Sequence, residues 1–265
     1  MKTAKGSAEL YPILFEIGSF QIYTYGVILA IAFYCGVQGA VMLGTRRGFD
    51  EETILNLGIF SILCGLLGAR TTYVWVYWDQ FAATPIEVFK VWKGGLVFYG
   101  GLAGGVLGGV GYWLYKKQDL LPMCDIASIS VCFGHAIGRL GCFFYGCCYG
   151  MLIPENSALS ALGVHFPHLD GIRHPTQLYA FAGNLLISLF LYQVYRRFKI
   201  PGLTVAVYFY VYGTFRFLIE LIRGDNRGHI LGIEGLWTSQ TIAIIGIIFG
   251  VVFHLYLLRR SRINS

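Results

Sequence analysis

The chain has 265 residues, of which 56% are apolar and 13% charged, with a mean hydropathy of +0.62. Soluble domains run at about 45–50% apolar and about 25% charged residues, so this composition excludes an ordinary soluble domain and indicates a polytopic membrane protein. The net charge of +6 is no nucleic-acid signal, because the basic residues are scattered over the ends of apolar runs, where they set topology and meet anionic headgroups.

Spans of about 20 residues divide the chain into seven. Residues 1–19 carry Lys2 and Lys5, but Glu9 and Glu16 interrupt any apolar core, so no cleavable leader is expected. Residues 8–18 are too short to cross and read as an interfacial segment. The first span covers about 20–43 and ends at the polar break T-R-R-G-F-D-E-E-T. The second, about 53–78, contains Arg70 and leaves through Trp75, Tyr77 and Trp78. A loop over 79–93 leads to a glycine-rich third span, about 95–115, whose small residues permit close approach of another helix. The fourth span, about 121–143, carries His135 and Arg139. Residues 144–174 form the longest polar interval and read as a small extramembrane head. The fifth, sixth and seventh spans cover about 176–195, 202–222 and 237–258. The expectation is one all-α integral membrane domain over 1–265, with the head at 144–174 inserted in it.

Lysines and arginines of the connections orient the chain. Ten lie in one set of loops and at the C-terminus, among them Arg196, Arg197, Lys199, Arg259, Arg260 and Arg262, against seven on the other side. This places the C-terminus in the cytoplasm and the N-terminus and head outside it, in a multi-pass membrane protein.

Three arginines fall inside spans: Arg70, Arg139 and Arg216. A guanidinium at membrane depth costs roughly 2.5–3.5 kcal/mol on the gentlest scale, so each is expected to face a cavity, a partner or an anionic ligand. Glu220 is four residues after Arg216 and shares its helix face, with Arg223 continuing it. That pair can equally be an internal network that fixes helix register. Arg70 and Arg139 have no local acid, although Asp125 is a candidate partner for one of them. Arginine forks match phosphate oxygens, and the phosphate available at that depth belongs to a phospholipid. His135 shares a face with Arg139 and is either a packing residue or a base. Most of the 18 tyrosines read as interfacial. The seven cysteines, at 35, 64, 124, 132, 142, 147 and 148, are odd in number and irregularly spaced, which argues against a disulfide framework. They read as small packing residues. The adjacent Cys147 and Cys148 lack a second ligand pair at zinc-like spacing, so no metal and no cofactor are expected.

The stretch from Gly138 to Gly150, G-R-L-G-C-F-F-Y-G-C-C-Y-G, resembles the signature G-R-x-G-N-F-x-N-G-E-x-x-G of the bacterial prolipoprotein diacylglyceryl transferases. The resemblance continues in the family's order at T-Y-G (24–26), G-A-R-T-T-Y (68–73), G-G-L-V-F-Y-G-G (94–101), R-H-P-T-Q-L-Y (173–179) and Y-G-T-F-R-F-L-I-E-L-I-R (212–223). It implies seven helices, an extracytoplasmic head, and transfer of the diacylglyceryl group of phosphatidylglycerol to the lipobox cysteine thiol of a prolipoprotein. The product is a thioether, and glycerol phosphate departs. By this resemblance Arg139 and Arg216 are the central arginines, Glu220 and Arg223 their support, Tyr25 a tyrosine near the lipid head, and Gly150 the closing glycine. Arg70 and Tyr73 join the substrate-binding set. Tyr99 stands where many members carry a histidine assigned as the base. The chain also departs at Cys142, Tyr145 and Cys147, which replace two asparagines and a glutamate. His135 is a candidate to take over the base role; alternatively the arginines lower the acceptor thiol's pKa. Two other readings remain open: a paralogue with another lipid donor or acceptor, and a non-catalytic protein that binds or moves phospholipid.

Overall fold

A computed structural model describes residues 12–18, 20–154, 156–225 and 237–263. Most of them are helical: α1 (Thr24–Thr45), α2 (Glu51–Val76), the short α3 (Trp78–Ala82), α4 (Phe98–Tyr115), α5 (Leu120–Tyr145), α6 (Thr176–Arg197), α7 (Leu203–Leu221) and α8 (Thr238–Ile263). Two antiparallel ribbons accompany them, β1 (Ile13–Ile17) with β2 (Phe20–Tyr23), and β3 (Val164–His165) with β4 (Ile172–Arg173). Among the described residues, α1, α2, α5, α6 and α8 are long and apolar enough to cross a membrane. The remaining two long helices are shorter and diluted, α4 by glycine and α7 by tyrosines, Arg216 and Glu220. Large apolar side chains stand exposed along these helices, Leu67, Leu107, Leu186 and Ile245 among them. In water such a surface would be a liability; against lipid tails it is the expected one.

The start of the first span differs from the sequence reading. Residues 20–23 are a strand rather than helix, because Gly18 turns the chain at φ +63° and β2 pairs back on β1 with Glu16 opposite Gln21. Gln21 Nε2 donates to Glu16 Oε1 at 3.0 Å. The first part of the expected interfacial segment, residues 8–11, and residues 226–236, most of the connection between the expected sixth and seventh spans, lie outside the described residues.

The chain divides into two compact units, one of Met1–Gly39 with Cys124–Ser265 and one of Ala40–Met123. In the second, α2 and α4 meet along a seam of glycines. A methyl group on Gly68 would sit 2.4 Å from the Gly100 carbonyl, and one on Gly104 would sit 2.4 Å from the Cys64 carbonyl. The helices therefore touch backbone to backbone, which gains dispersion contact where lipid supplies no hydrophobic driving force. Asp50 begins α2 as its N-cap, accepting from the Thr53 amide and hydroxyl, both at 2.8 Å. Trp113, near the C-terminus of α4, closes the same end; it is 1% exposed, packs edge-on against Phe49 and donates to the Asp119 carbonyl at 3.0 Å.

In the first unit, α5 is the central helix. Gly134 lies against the Ala32 carbonyl of α1, the Cys132 thiol donates to the Asn184 carbonyl of α6 at 3.3 Å, and Ser188 Oγ reaches the Ile129 carbonyl at 3.1 Å. Asp125 is 2% exposed and accepts from the Gly202 and Val205 amides at 2.7 and 2.9 Å. It caps the first turn of α7 from across the bundle, satisfying orphan donors and the positive end of the dipole together. The sequence reading offered Asp125 to an intramembrane arginine; the structure gives it to a helix end. The small residues of α7 and α8 then mesh, with Gly250 against the Ala206 carbonyl and Gly213 against Ile247.

Candidate functional site

The signature stretch forms the last turns of α5 and the segment that follows. Arg139 points its Nε at His135 Nε2, 3.1 Å away, one turn back on the same face. The imidazole accepts there, so it is neutral with its proton on Nδ1. The His135 ring also meets Tyr212 of α7, centroids 5.7 Å apart. On that facing helix Arg216 pairs with Glu220, nitrogen to oxygen 2.5 Å, with side chains 13% and 2% exposed. Arg216 lies within electrostatic reach of both Arg139 and Arg223. Arg223, just past α7, is held in a two-point clamp by Asp225, both contacts 2.8 Å. Arginines from α5, from α7 and from the turn after it thus gather at one end of the unit. Two have carboxylates. The side chain that meets Arg139 is an uncharged imidazole, which orients the guanidinium without neutralising it.

The backbone after α5 is tied into place from two sides. Gly150 bridges to Arg223, its amide donates to the His174 carbonyl at 2.8 Å, and the Gly224 amide donates to the Tyr149 carbonyl at 3.1 Å. A methyl on Gly150 would lie 2.6 Å from His174 Cβ and 2.9 Å from the Ile222 carbonyl, so only glycine lets the three segments meet. The R-H-P-T-Q-L-Y motif supplies the second tie. Thr176 Oγ1 donates to the Cys148 carbonyl at 2.6 Å and Gln177 Nε2 to the Cys147 carbonyl at 2.7 Å. Cys148 itself is left-handed at φ +68°, a conformation a non-glycine side chain keeps only when its surroundings hold it there. These clamps were not foreseen from the sequence, although the quoted motif contains both residues. Behind them the expected head is a small packed knot: Phe166 is fully buried against Phe143 and Tyr149, and the Arg173 guanidinium lies over the Tyr149 ring.

Cys142, Cys147 and Cys148 come together at this point, their sulfur atoms all within 4.8 Å of one another. All seven cysteines are thiols. The hydrogen bonds of the Cys142 and Cys147 thiols, aided by the nearby Arg223 guanidinium, hold Cys148 below the ordinary thiol range. Cys147 is pushed up by its hydrogen bonds to Cys142 and Cys148. Tyr25 lies within electrostatic reach of all three sulfurs and of Arg139, and its ring is 6.2 Å from that of Tyr145.

The other expected site residues belong to the second unit. Arg70 is 7% exposed and uses four of its five N–H donors on backbone carbonyls: Val88 at 2.8 Å, Glu87 at 2.6 Å, Gly94 at 2.8 Å and Gly95 at 3.1 Å. It pins the loop before α4. Gly94 and Gly95, at φ +85° and +77°, turn those carbonyls toward it, and Tyr73 and Phe81 flank the guanidinium. The motifs at 68–73 and 94–101 are therefore two halves of one clamp. Tyr99 sits in the first turn of α4, 43% exposed, its ring edge-on to Phe98.

A helical, multi-pass membrane protein that gathers guanidinium groups beside an apolar helix end is of the class that handles anionic lipid. A profile of prolipoprotein diacylglyceryl transferases matches residues 12–256. The phosphatidylglycerol–prolipoprotein diacylglyceryl transferase of Clostridium tetani is 33% identical over 262 residues, covering 94% of this chain and 99% of that protein. Relatives of the same name from Clostridioides difficile and Bacillus licheniformis are each 31% identical, covering 95% and 89% of this chain and 97% and 88% of their own. The chain belongs to the prolipoprotein diacylglyceryl transferase family.

Proposed function

We propose that this protein transfers the diacylglyceryl group of phosphatidylglycerol to the lipobox cysteine of a prolipoprotein, the reaction named for its relatives. The observation that carries the reading is Arg139: a guanidinium in an apolar helix, aimed by a neutral histidine and set near Arg216. The acceptor thiolate attacks the glyceryl carbon that bears the phosphate, and the carbon–oxygen bond breaks as the sulfur–carbon bond forms. Glycerol phosphate leaves with the electron pair and one more negative charge than it had in the lipid. Arg139 and Arg216 meet that growing charge with donors already in place, the arrangement that lowers a barrier without reorganisation. Glu220 fixes the orientation of Arg216, and Asp225 that of Arg223. Tyr25 and Gly150 border the same end and take part in binding the lipid head. Arg70 and Tyr73 serve binding through the loop they hold, and Tyr99 lines the substrate path on its own unit.

His135 acts on Arg139. Its Nε2 lone pair already receives the guanidinium proton, which leaves no vacant lone pair for an acceptor thiol's proton. The seven long helices are seven spans, with the N-terminus and residues 144–174 extracytoplasmic and the C-terminus cytoplasmic, in the bacterial cytoplasmic membrane. This orientation puts the arginines on the side where secreted precursors emerge.

Purified protein, phosphatidylglycerol vesicles and a lipobox peptide test the reading by release of glycerol phosphate and the mass of the peptide thioether. Release that requires the peptide cysteine is expected. Lipid bound and returned intact would mean a binding or transport protein, and activity only with another lipid or acceptor would mean a divergent paralogue.

A further inference from the structure

The cysteine trio occupies the stretch in which the chain departs from the family signature. Three sulfurs bound to one zinc ion at about 2.3 Å each lie about 3.8 Å apart in a tetrahedral arrangement. The observed separations, at most 4.8 Å, need a contraction of no more than about 1 Å, within the reach of cysteine χ1 adjustment. The backbone is built for this: Thr176 and Gln177 hold the carbonyls of Cys148 and Cys147, and Cys148 keeps a left-handed φ that turns the chain back on the helix end carrying Cys142. Among the described residues no histidine or carboxylate joins the group. A structural zinc site is closed by four protein ligands, whereas three leave a position for water or substrate. Three thiolates and one zinc ion carry a single negative charge, and Arg139 near Cys142 with Arg223 at Cys148 offset it.

We propose that Cys142, Cys147 and Cys148 bind a zinc ion whose open fourth position takes the thiol of the acceptor cysteine. This rests on the transferase reading and supplies the step that the arginines leave unassigned. A thiol that coordinates zinc loses its proton, which passes to water. The zinc-held sulfur forms its bond to the glyceryl carbon, the carbon–oxygen bond to phosphate breaks, and glycerol phosphate takes the electron pair. No electron is gained or lost by the metal. The thioether product, a far weaker ligand than a thiolate, leaves the position open for the next acceptor. The sequence reading expected no metal because it searched for two separated ligand pairs; the turn after α5 instead brings Cys142 beside an adjacent pair.

The test uses the full-length protein in nanodiscs, reduced, loaded with zinc or cobalt and dialysed. One equivalent of zinc is expected by elemental analysis, lost in Cys147→Ser and in the C142S/C147S/C148S variant, each checked for folding by circular dichroism. The cobalt form should show thiolate-to-metal absorption and the visible bands of a tetrahedral site, and a lipobox peptide with cysteine should shift them while its serine analogue does not. Metal content no higher than in the triple variant, a disulfide within the trio in place of metal, or bands unmoved by the cysteine peptide would each overturn the proposal. Glycerol phosphate release separates the two readings. Transfer that survives complete zinc removal sinks the zinc step and leaves the transferase intact, whereas zinc and thiol binding without transfer from phosphatidylglycerol does the reverse.

Discussion

At the scale of single residues, the site depends on what each guanidinium touches. Arg139→Lys keeps the charge but loses the planar fork and the Nε proton given to His135. A fall in kcat of about 10²–10³-fold is expected, the usual cost of one preorganised donor to a developing anion, with little change in lipid binding. His135→Gln places an amide oxygen where Nε2 accepts and should keep most of the activity, while His135→Ala should lose it. If His135→Gln were as inactive as His135→Ala, holding Arg139 would not be the role of His135 and histidine would be the base after all. Removing Glu220 is different in kind. Its carboxylate is 2% exposed, and Glu220→Ala leaves Arg216 buried without its counter-charge, at about 3–5 kcal/mol. That loss should appear as a lower unfolding temperature in detergent as well as lower activity.

Helices set where those residues stand, and two devices do most of that positioning. Asp125 reaches from α5 to the amides that open α7, so it places the helix carrying Arg216 and Glu220. Asp125→Ala removes a cap and strands buried donors, costing about 2 kcal/mol. Asp125→Asn, which still offers one acceptor oxygen, should cost less, and thermal unfolding of the two variants side by side checks the order. The α2–α4 seam is the second device. Gly68→Val or Gly104→Val would thrust a branched side chain into a facing backbone at 2.4 Å, and overpacking of this sort costs about 1–3 kcal/mol. Both should lower yield and melting temperature, while Gly111→Val, which meets open space, should do neither. At the N-terminal end of α2, hydrogen bonds from the Thr53 amide and hydroxyl hold the Asp50 carboxyl below its ordinary range. Its contribution is therefore fully present above the unfolded-state value and is lost as pH falls through the lower folded value, so any effect of Asp50→Asn on stability should vanish in strong acid.

Across the whole molecule the proposed orientation has a direct readout. A phosphatase fused after Ile263 should be inactive and a fluorescent protein at the same point should fold and glow, since only the cytoplasmic side supports the second. The opposite pattern would place the arginine site on the wrong face for secreted precursors. The loop held by Arg70 offers a test confined to its own unit: Arg70→Met removes four carbonyl contacts and should expose residues 85–95 to protease.

Much of this organisation was legible in residue order. The helical membrane class followed from composition, and helix limits fell within a few residues of the expected spans, because lipid forces every backbone group to bond within its own segment and apolar length then reveals the segment. The Arg216–Glu220 pairing was readable for the same local reason: four residues along a helix is one turn. What the chain order left open was every relation carried by backbone groups or by turns. Asp125 as a remote cap, Arg70 as a loop clamp and Thr176 with Gln177 as holders of the cysteine turn all bind main-chain atoms, which look alike in any sequence. The meeting of Cys142 with Cys147 and Cys148 needed a left-handed residue and two distant hydrogen bonds to close. Periodicity speaks only for residues on one helix, so only the tertiary structure decided which side chains share a site once the helix ends.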